Sequence, residues 1–147
     1  MQINRDAPIV STKDGIIYAT PDRVWEALAD VSSWSAWHPE IRSAALQGAF
    51  EPGTQFRWKS GAATINSTLE VVEQPTLLGW VGRSTGLTAR HMFHLHPDDG
   101  HTRLTIEESM EGPTARLLKR FLLRMLDRSL EAWIAGLKRR TEAPTSS

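Results

Sequence analysis

Four of the five histidines in the 147-residue sequence fall between positions 91 and 101. Imidazoles this close together raise two chemistries, metal ligation and proton transfer. The run Arg90-His91-Met92-Phe93-His94-Leu95-His96 alternates with period two, so it reads as a strand whose side chains sort onto two faces. His94 and His96 share a face with Arg90, opposite Phe93 and Leu95, and His101 beyond the Pro97–Gly100 turn could approach them. Three imidazoles could hold zinc, but the polar company of this face reads as a solvated outer surface, so no metal and no other cofactor is expected. His91 is different, because it shares the face of Phe93 and Leu95. On the following strand Leu104 and Ile106 set the inward register, and Glu108 follows them. A histidine and a carboxylate projecting into a partly apolar space are candidate acid/base groups. The alternative is a structural ion pair or hydrogen bond near a cavity mouth.

Other catalytic patterns are absent. The sequence has no cysteine, which removes disulfides, thiolate metal sites and a cysteine nucleophile together. Gly82-Arg83-Ser84-Thr85-Gly86 has the Gly-x-Ser-x-Gly spelling but falls in a turn between two strands rather than between a strand and a helix, so it is no nucleophile elbow, and there is no glycine-rich phosphate loop. Glu107-Glu108 and Asp98-Asp99 are adjacent pairs, and neighbours on a strand point to opposite faces, so neither pair is a catalytic dyad. Six tryptophans are many for this length. Trp37, Trp58 and Trp80 fall at inward or pocket-facing positions, where an indole offers an apolar wall and one orienting N–H. Trp25 and Trp34 read as core.

The elements that position these groups follow from turn chemistry and period. A first strand covers residues 9–19, interrupted near Asp14-Gly15. Thr20-Pro21-Asp22 opens a short helix with Thr20 as N-cap and Pro21 at the first helical position. A second short helix carries Trp34 and Trp37 and ends at Pro39. Six further strands fit about 40–48, 54–60, 63–74, 77–84, 87–97 and 101–111, joined by hairpin-length, turn-rich links that make neighbours antiparallel. From Pro113 to Arg140, ten large apolar residues recur three and four apart: Leu117, Leu118, Phe121, Leu122, Met125, Leu126, Leu130, Trp133, Ile134 and Leu137. That spacing predicts one long amphipathic helix. At about 1.5–3 kcal/mol for each fully buried side chain, the stripe represents on the order of 15–30 kcal/mol, so a wide sheet must cover it. A helix is narrower than a curved sheet, and the unfilled space becomes a pocket.

The length suits one domain over residues 1–147, with an ordered core at about 8–140 and a flexible tail at 141–147. Net charge is zero but uneven: residues 1–112 carry 9 basic against 14 acidic side chains, and residues 113–147 carry 8 against 3. The basic residues read as the wet side of the final helix. Docking on a membrane or nucleic acid would need an exposed apolar face or a basic body, and neither is expected. With no signal-peptide core or membrane-length apolar run, a cytoplasmic protein without stable membrane insertion is expected.

Several of these segments together resemble the START-related SRPBCC superfamily, which has the helix-grip fold, and its polyketide cyclase/dehydrase-like group. They are Thr20-Pro21-Asp22-x-Val24-Trp25-x-x-Leu28-x-Asp30, Trp34-x-x-Trp37-His38-Pro39-Glu40-Ile41, Gly48-x-x-x-x-Gly53-Thr54-x-Phe56-x-Trp58, and Gly100-His101-Thr102-Arg103-Leu104-Thr105 with Glu107–Gly112 after it. His101 interrupts the commoner Gly-Thr-Arg. The resemblance covers about residues 8–140 and implies an α+β helix-grip fold. In that fold a curved seven-stranded antiparallel sheet wraps around a long C-terminal helix, with two short helices between the first two strands. It further implies a hydrophobic small-molecule partner, lipid-, sterol- or polyketide-like, bound between sheet and helix. An enzyme of cyclase/dehydratase type using the same cavity is the alternative, with His91 and Glu108 as its catalytic candidates. A co-chaperone-like, partner-binding domain is the third reading, favoured by a filled interior and an exposed apolar patch. The residues expected to meet a ligand are Trp37, Phe56, Trp58, Trp80, His91, Phe93, Glu108, Leu118, Leu122 and Met125. A monomer or homodimer that binds no nucleic acid is expected.

Overall fold

In the computed structural model, residues 1–142 are described. Seven strands form one antiparallel sheet: β1 (Ile9–Ile17), β2 (Ile41–Leu46), β3 (Gln55–Ser60), β4 (Ala63–Glu73), β5 (Leu77–Ser84), β6 (Leu87–Asp98) and β7 (His101–Glu111). Their order across the sheet is β1-β7-β6-β5-β4-β3-β2. The short turns keep β2 to β7 in sequence, while β1 pairs with the last strand. Between β1 and β2 lie helix α1 (Pro21–Ala29), a 3-10 turn (Val31–Ser33) and helix α2 (Trp34–Trp37). This is the helix-grip arrangement expected from the sequence.

Helix α1 starts as its residues dictate, with the Thr20 hydroxyl accepting from the Arg23 N–H at 3.3 Å and Pro21 in the first turn. Its buried face, Val24, Trp25, Ala27 and Leu28, joins the core. Trp34 is the hub of that core. Its Nε1–H donates to the Leu28 carbonyl at 3.0 Å, so the indole is buried with its one polar atom satisfied. Its ring meets Phe56 at 5.5 Å, Trp80 at 5.4 Å and Trp133 at 5.0 Å.

The first strand has no interruption at Asp14-Gly15. Its pairing with β7 runs unbroken from Ile9↔Met110 to Ile17↔Thr102, and it stops at Ile17 rather than residue 19. Glycine stands at position 15 for a different reason, because a Cβ there would lie 2.8 Å from Ile134 Cγ2. The final helix packs directly on that backbone.

The C-terminal segment is two helices, not one: α3 (Pro113–Leu117) and α4 (Lys119–Glu142), broken at Leu118 with φ −110° and ψ 30°. Helix α3 is tied to the β5–β6 turn, where the Thr114 hydroxyl donates to the Thr85 carbonyl at 3.1 Å and the Thr114 N–H to the Gly86 carbonyl at 3.2 Å. The chain turns at Leu118 to lay α4 along the sheet. The apolar stripe therefore divides. Leu122, Leu126, Leu130, Trp133 and Leu137 are buried, whereas Leu117, Leu118, Phe121 and Met125 are 82 %, 44 %, 63 % and 38 % exposed. The expectation that the sheet covers the whole stripe is corrected for its first turns. The other end is longer than expected, since α4 continues through Thr141, which is buried, and Glu142. The rest of the expected tail, residues 143–147, lies outside the described residues. Gly136 lets α4 close on α2, because a Cβ there would run into the Trp37 carbonyl oxygen and lie 2.8 Å from the Trp37 ring.

Candidate functional site

The strand register builds one lateral row across the inner face: Leu69↔Trp80, Trp80↔His91, His91↔Glu108 and Glu108↔Ser11. Side chains directly opposite on one face meet, which makes these cross-strand neighbours real contacts. The His91 ring stacks on Trp80 at 4.5 Å with 5° between the planes, and its Nδ1 contacts Glu108 Oε1. Phe93 at 4.5 Å and Trp133 at 5.9 Å close the imidazole in. With Glu108 ionised the carboxylate can only accept, so Nδ1 carries the proton that His91 donates. Nε2 is then a bare lone pair among rings, and it has no hydrogen-bond partner. At the end of the row the Ser11 hydroxyl contacts Asp127 Oδ1 of α4.

Beside this row lies a cavity of about 330 Å³ between the sheet and α4. Trp58, Trp80 and Trp133 wall its buried part, and Glu108 lines it beside them. The Trp58 Nε1–H donates to the Ser67 hydroxyl at 3.0 Å, which ties that indole to β4. The mouth is marked by exposed lining residues, Gly61 to Ala63 on the sheet side and Phe121 and Met125 on the helix side. Volume and apolar walls match a small-molecule site at the lower end of the usual range of about 300–1,000 Å³. A second, wider groove of about 510 Å³ runs between α1 and the end of α4, lined by Asp22, Arg23, Glu26, Asp30 and Arg140 among others. Mixed charge without an apolar wall makes it a solvated surface groove.

Of the residues expected at a ligand, Trp58, Trp80, Glu108 and Met125 line the cavity. The others stand away from it. His91 lies behind Trp80, Phe56 and Phe93 pack in the core, and Leu122 faces the core from α4. Trp37 is wedged against α4, with its carbonyl accepting from Arg139 Nη2 at 3.0 Å and its Nε1 buried without a partner. Leu118 sits at the break between α3 and α4, exposed to solvent and outside the cavity. Glu40, Ser129 and Trp133 also line the site and were not anticipated there. The signal for Glu40 lay in its neighbour. His38 is buried, its Nδ1 accepts from the Glu40 N–H at 3.2 Å, and its ring packs on Trp133 at 4.7 Å. Burial pushes the His38 pKa down from 6.5 to about 4, and the Arg139 charge works in the same direction.

The other histidines fall where alternation put them. His94 and His96 stack side by side at 6.5 Å, and His101 instead meets the Tyr18 ring edge-on at 4.9 Å. His94 Nε2 lies 3.9 Å from Glu107, which also pairs with Arg5 at 3.1 Å. Among the described residues no three His, Asp or Glu side chains are grouped to hold a metal.

The family model for polyketide cyclase / dehydrase and lipid transport matches residues 9–142, nearly the whole chain and every element that builds the cavity. The protein belongs to this family. No curated protein matches the sequence. Among solved structures, the polyketide cyclase/dehydrase member described here is similar to a hypothetical protein of Helicobacter pylori (TM-score 0.83, 18 % identity, covering 95 % of this chain and 91 % of that one). It is also similar to a START superfamily protein of Mycobacterium smegmatis (TM-score 0.76, 15 % identity, 92 % and 99 %). A third is the Zhui aromatase/cyclase of Streptomyces sp. R1128 (TM-score 0.75, 15 % identity, 89 % and 92 %). At these identities the likeness carries the fold. No helix among the described residues is long and apolar enough to cross a membrane.

Proposed function

We propose that the protein binds a compact, mostly apolar small molecule in the cavity between sheet and α4, with a hydrogen-bond donor of the ligand directed at Glu108. The observation that carries this reading is an open space of about 330 Å³, walled by Trp58, Trp80 and Trp133 and lined by the acidic residues Glu108 and Glu40. A carboxylate recognises a hydroxyl or amine hydrogen. Among the described residues no lysine, arginine or histidine lines the cavity, so a carboxylate or phosphate ligand would enter without a counter-charge. A neutral phenol, alcohol or amine on an apolar skeleton fits this lining. A partner-binding role without a ligand calls for a filled interior, and an open one argues against it.

The contact between His91 and Glu108 supports a second reading, in which the same site is an enzyme of cyclase/dehydratase type. Glu108 would touch the substrate and take or return a proton, and His91 would act as its positioning residue. A cytoplasmic location and a monomeric or homodimeric state belong to the same reading, to be checked by fractionation and light scattering.

Binding is tested with N-phenyl-1-naphthylamine, a neutral apolar probe carrying one N–H. Saturable enhancement of its emission, with quenching of the cavity tryptophans, is expected for the wild type. Ala89→Phe, which places a ring in the cavity, should abolish both while leaving the unfolding midpoint little changed. Enhancement that survives Ala89→Phe would place the probe elsewhere and sink the reading. Native mass spectrometry of protein from its own host then identifies a retained ligand. Comparing that ligand's fate with wild type and His91→Ala separates binding from turnover.

A further inference from the structure

The first turns of the C-terminal segment expose what most domains bury. Leu117, Phe121 and Met125 recur at intervals of four, and all three are exposed, as is Leu118 between them. One position ahead of each comes an arginine, Arg116, Arg120 and Arg124, and Arg128 extends the series. Residues four apart lie along one row of a helix, so α4 carries Arg120, Arg124 and Arg128 in a row beside Phe121 and Met125, while Arg116 and Leu117 stand on α3 just before the break. Those arginines and Lys119 are exposed, and they form no ion pair among the described residues. The two carboxylates on this stretch of helix are turned to β1 instead, Asp127 to the Ser11 hydroxyl and Glu131 to Lys13 at 3.5 Å. The surface is thus apolar, basic and uncompensated, on a molecule whose other 112 residues carry an acidic excess.

We infer that this face docks the protein peripherally on an anionic lipid surface, with Leu117, Leu118, Phe121 and Met125 entering the headgroup boundary and the arginine row meeting lipid phosphates. A helix with a polybasic side and an apolar side lies in the interface plane, and each basic residue near an anionic surface strengthens binding about fivefold. The acidic remainder is repelled, which orients the molecule with this face down. Phe121 and Met125 also line the cavity mouth, so a docked protein has its cavity open toward the acyl region. An apolar ligand would then pass between bilayer and cavity without crossing water. That use rests on the proposed binding function, whereas docking itself needs no ligand.

The test is co-sedimentation with phosphatidylcholine vesicles containing about 30 mol % phosphatidylglycerol, against vesicles of phosphatidylcholine alone. Binding is expected only to the anionic vesicles, and to weaken strongly at about 0.5 M salt. Leu117→Ser/Leu118→Ser lies outside the cavity, so it should lower vesicle binding about tenfold while leaving naphthylamine binding and the unfolding midpoint unchanged. Arg120→Ala/Arg124→Ala should lower it about thirtyfold. Equal binding to both vesicle types, or no binding to either, would overturn the inference. So would a stable dimer by light scattering that Leu117→Ser disrupts, since a second copy would then be the occupant. Loss of probe binding in Ala89→Phe with vesicle binding intact keeps the two proposals separate.

Discussion

His38 makes the protein's stability depend on pH in a direction that the fold sets. The imidazole is buried against Trp133, its Nδ1 accepts from the Glu40 N–H, and its Nε2 is buried without a hydrogen-bond partner. Its pKa falls from 6.5 to about 4 because burial penalises the charged form. A depressed histidine binds its proton more weakly when folded than when unfolded. Its contribution is therefore fully present above the unfolded pKa and is lost as pH falls from about 6.5 toward about 4. The full loss is on the order of 3 kcal/mol, of which about 2 kcal/mol is expected between about pH 7 and about pH 5. The assay is urea unfolding followed by tryptophan emission across that range, for wild type and His38→Asn. Asparagine keeps an acceptor for the Glu40 N–H and cannot titrate. Other groups titrate in both proteins, so the difference between the two curves isolates His38. The wild type should lose about 2 kcal/mol more than the variant on acidification. Parallel curves would refute the reasoning, because they would mean that His38 keeps an ordinary proton affinity in the folded state.

Three further outcomes follow from the packing. Leu130→Ala should cost about 2–5 kcal/mol, whereas Phe121→Ala should stay within about 0.5 kcal/mol; similar losses in chemical denaturation would contradict the division of the apolar stripe. Gly136→Ala should cost about 1–3 kcal/mol by pushing α4 off the Trp37 carbonyl, which would appear as a lowered thermal midpoint. Glu108→Ala should destabilise by about 1–3 kcal/mol because His91 loses its partner inside the sheet, and Glu108→Gln, which keeps an acceptor, should recover most of that loss.

The architecture was legible because its signals are local. Strand alternation, turn residues and the Thr20-Pro21-Asp22 start each depend on a few neighbours in sequence, and together they place all seven strands and both short helices. The inward register of His91 and Glu108 was legible for the same reason, and the sheet sets them directly opposite each other. Depth was not legible. Alternation says that Phe56 and Phe93 point inward, but it does not say that Trp34 packs on Phe56 and Trp133 on Phe93 from other elements and makes them core. The helix break at Leu118 was hidden because it is imposed by the distant Thr85-Gly86 turn. Periodicity likewise predicted burial for Leu117 and Phe121, since a helical stripe records a face but not how far the sheet extends beneath it. Glu40 came to the cavity through His38, a buried polar residue whose role depends on Trp133 nearly a hundred positions away.

The aromatic hub at Trp34 has an optical consequence. Its indole lies 5.4 Å from that of Trp80 with 30° between the planes, and 5.0 Å from that of Trp133 at 85°. Chromophores so close and fixed share their excited states, and the coupling vanishes when their mutual angle is averaged. Near-ultraviolet circular dichroism of this protein therefore registers side-chain order in the core directly. A state that kept its sheet but let the indoles rotate would retain its far-ultraviolet spectrum and go dark in the near-ultraviolet.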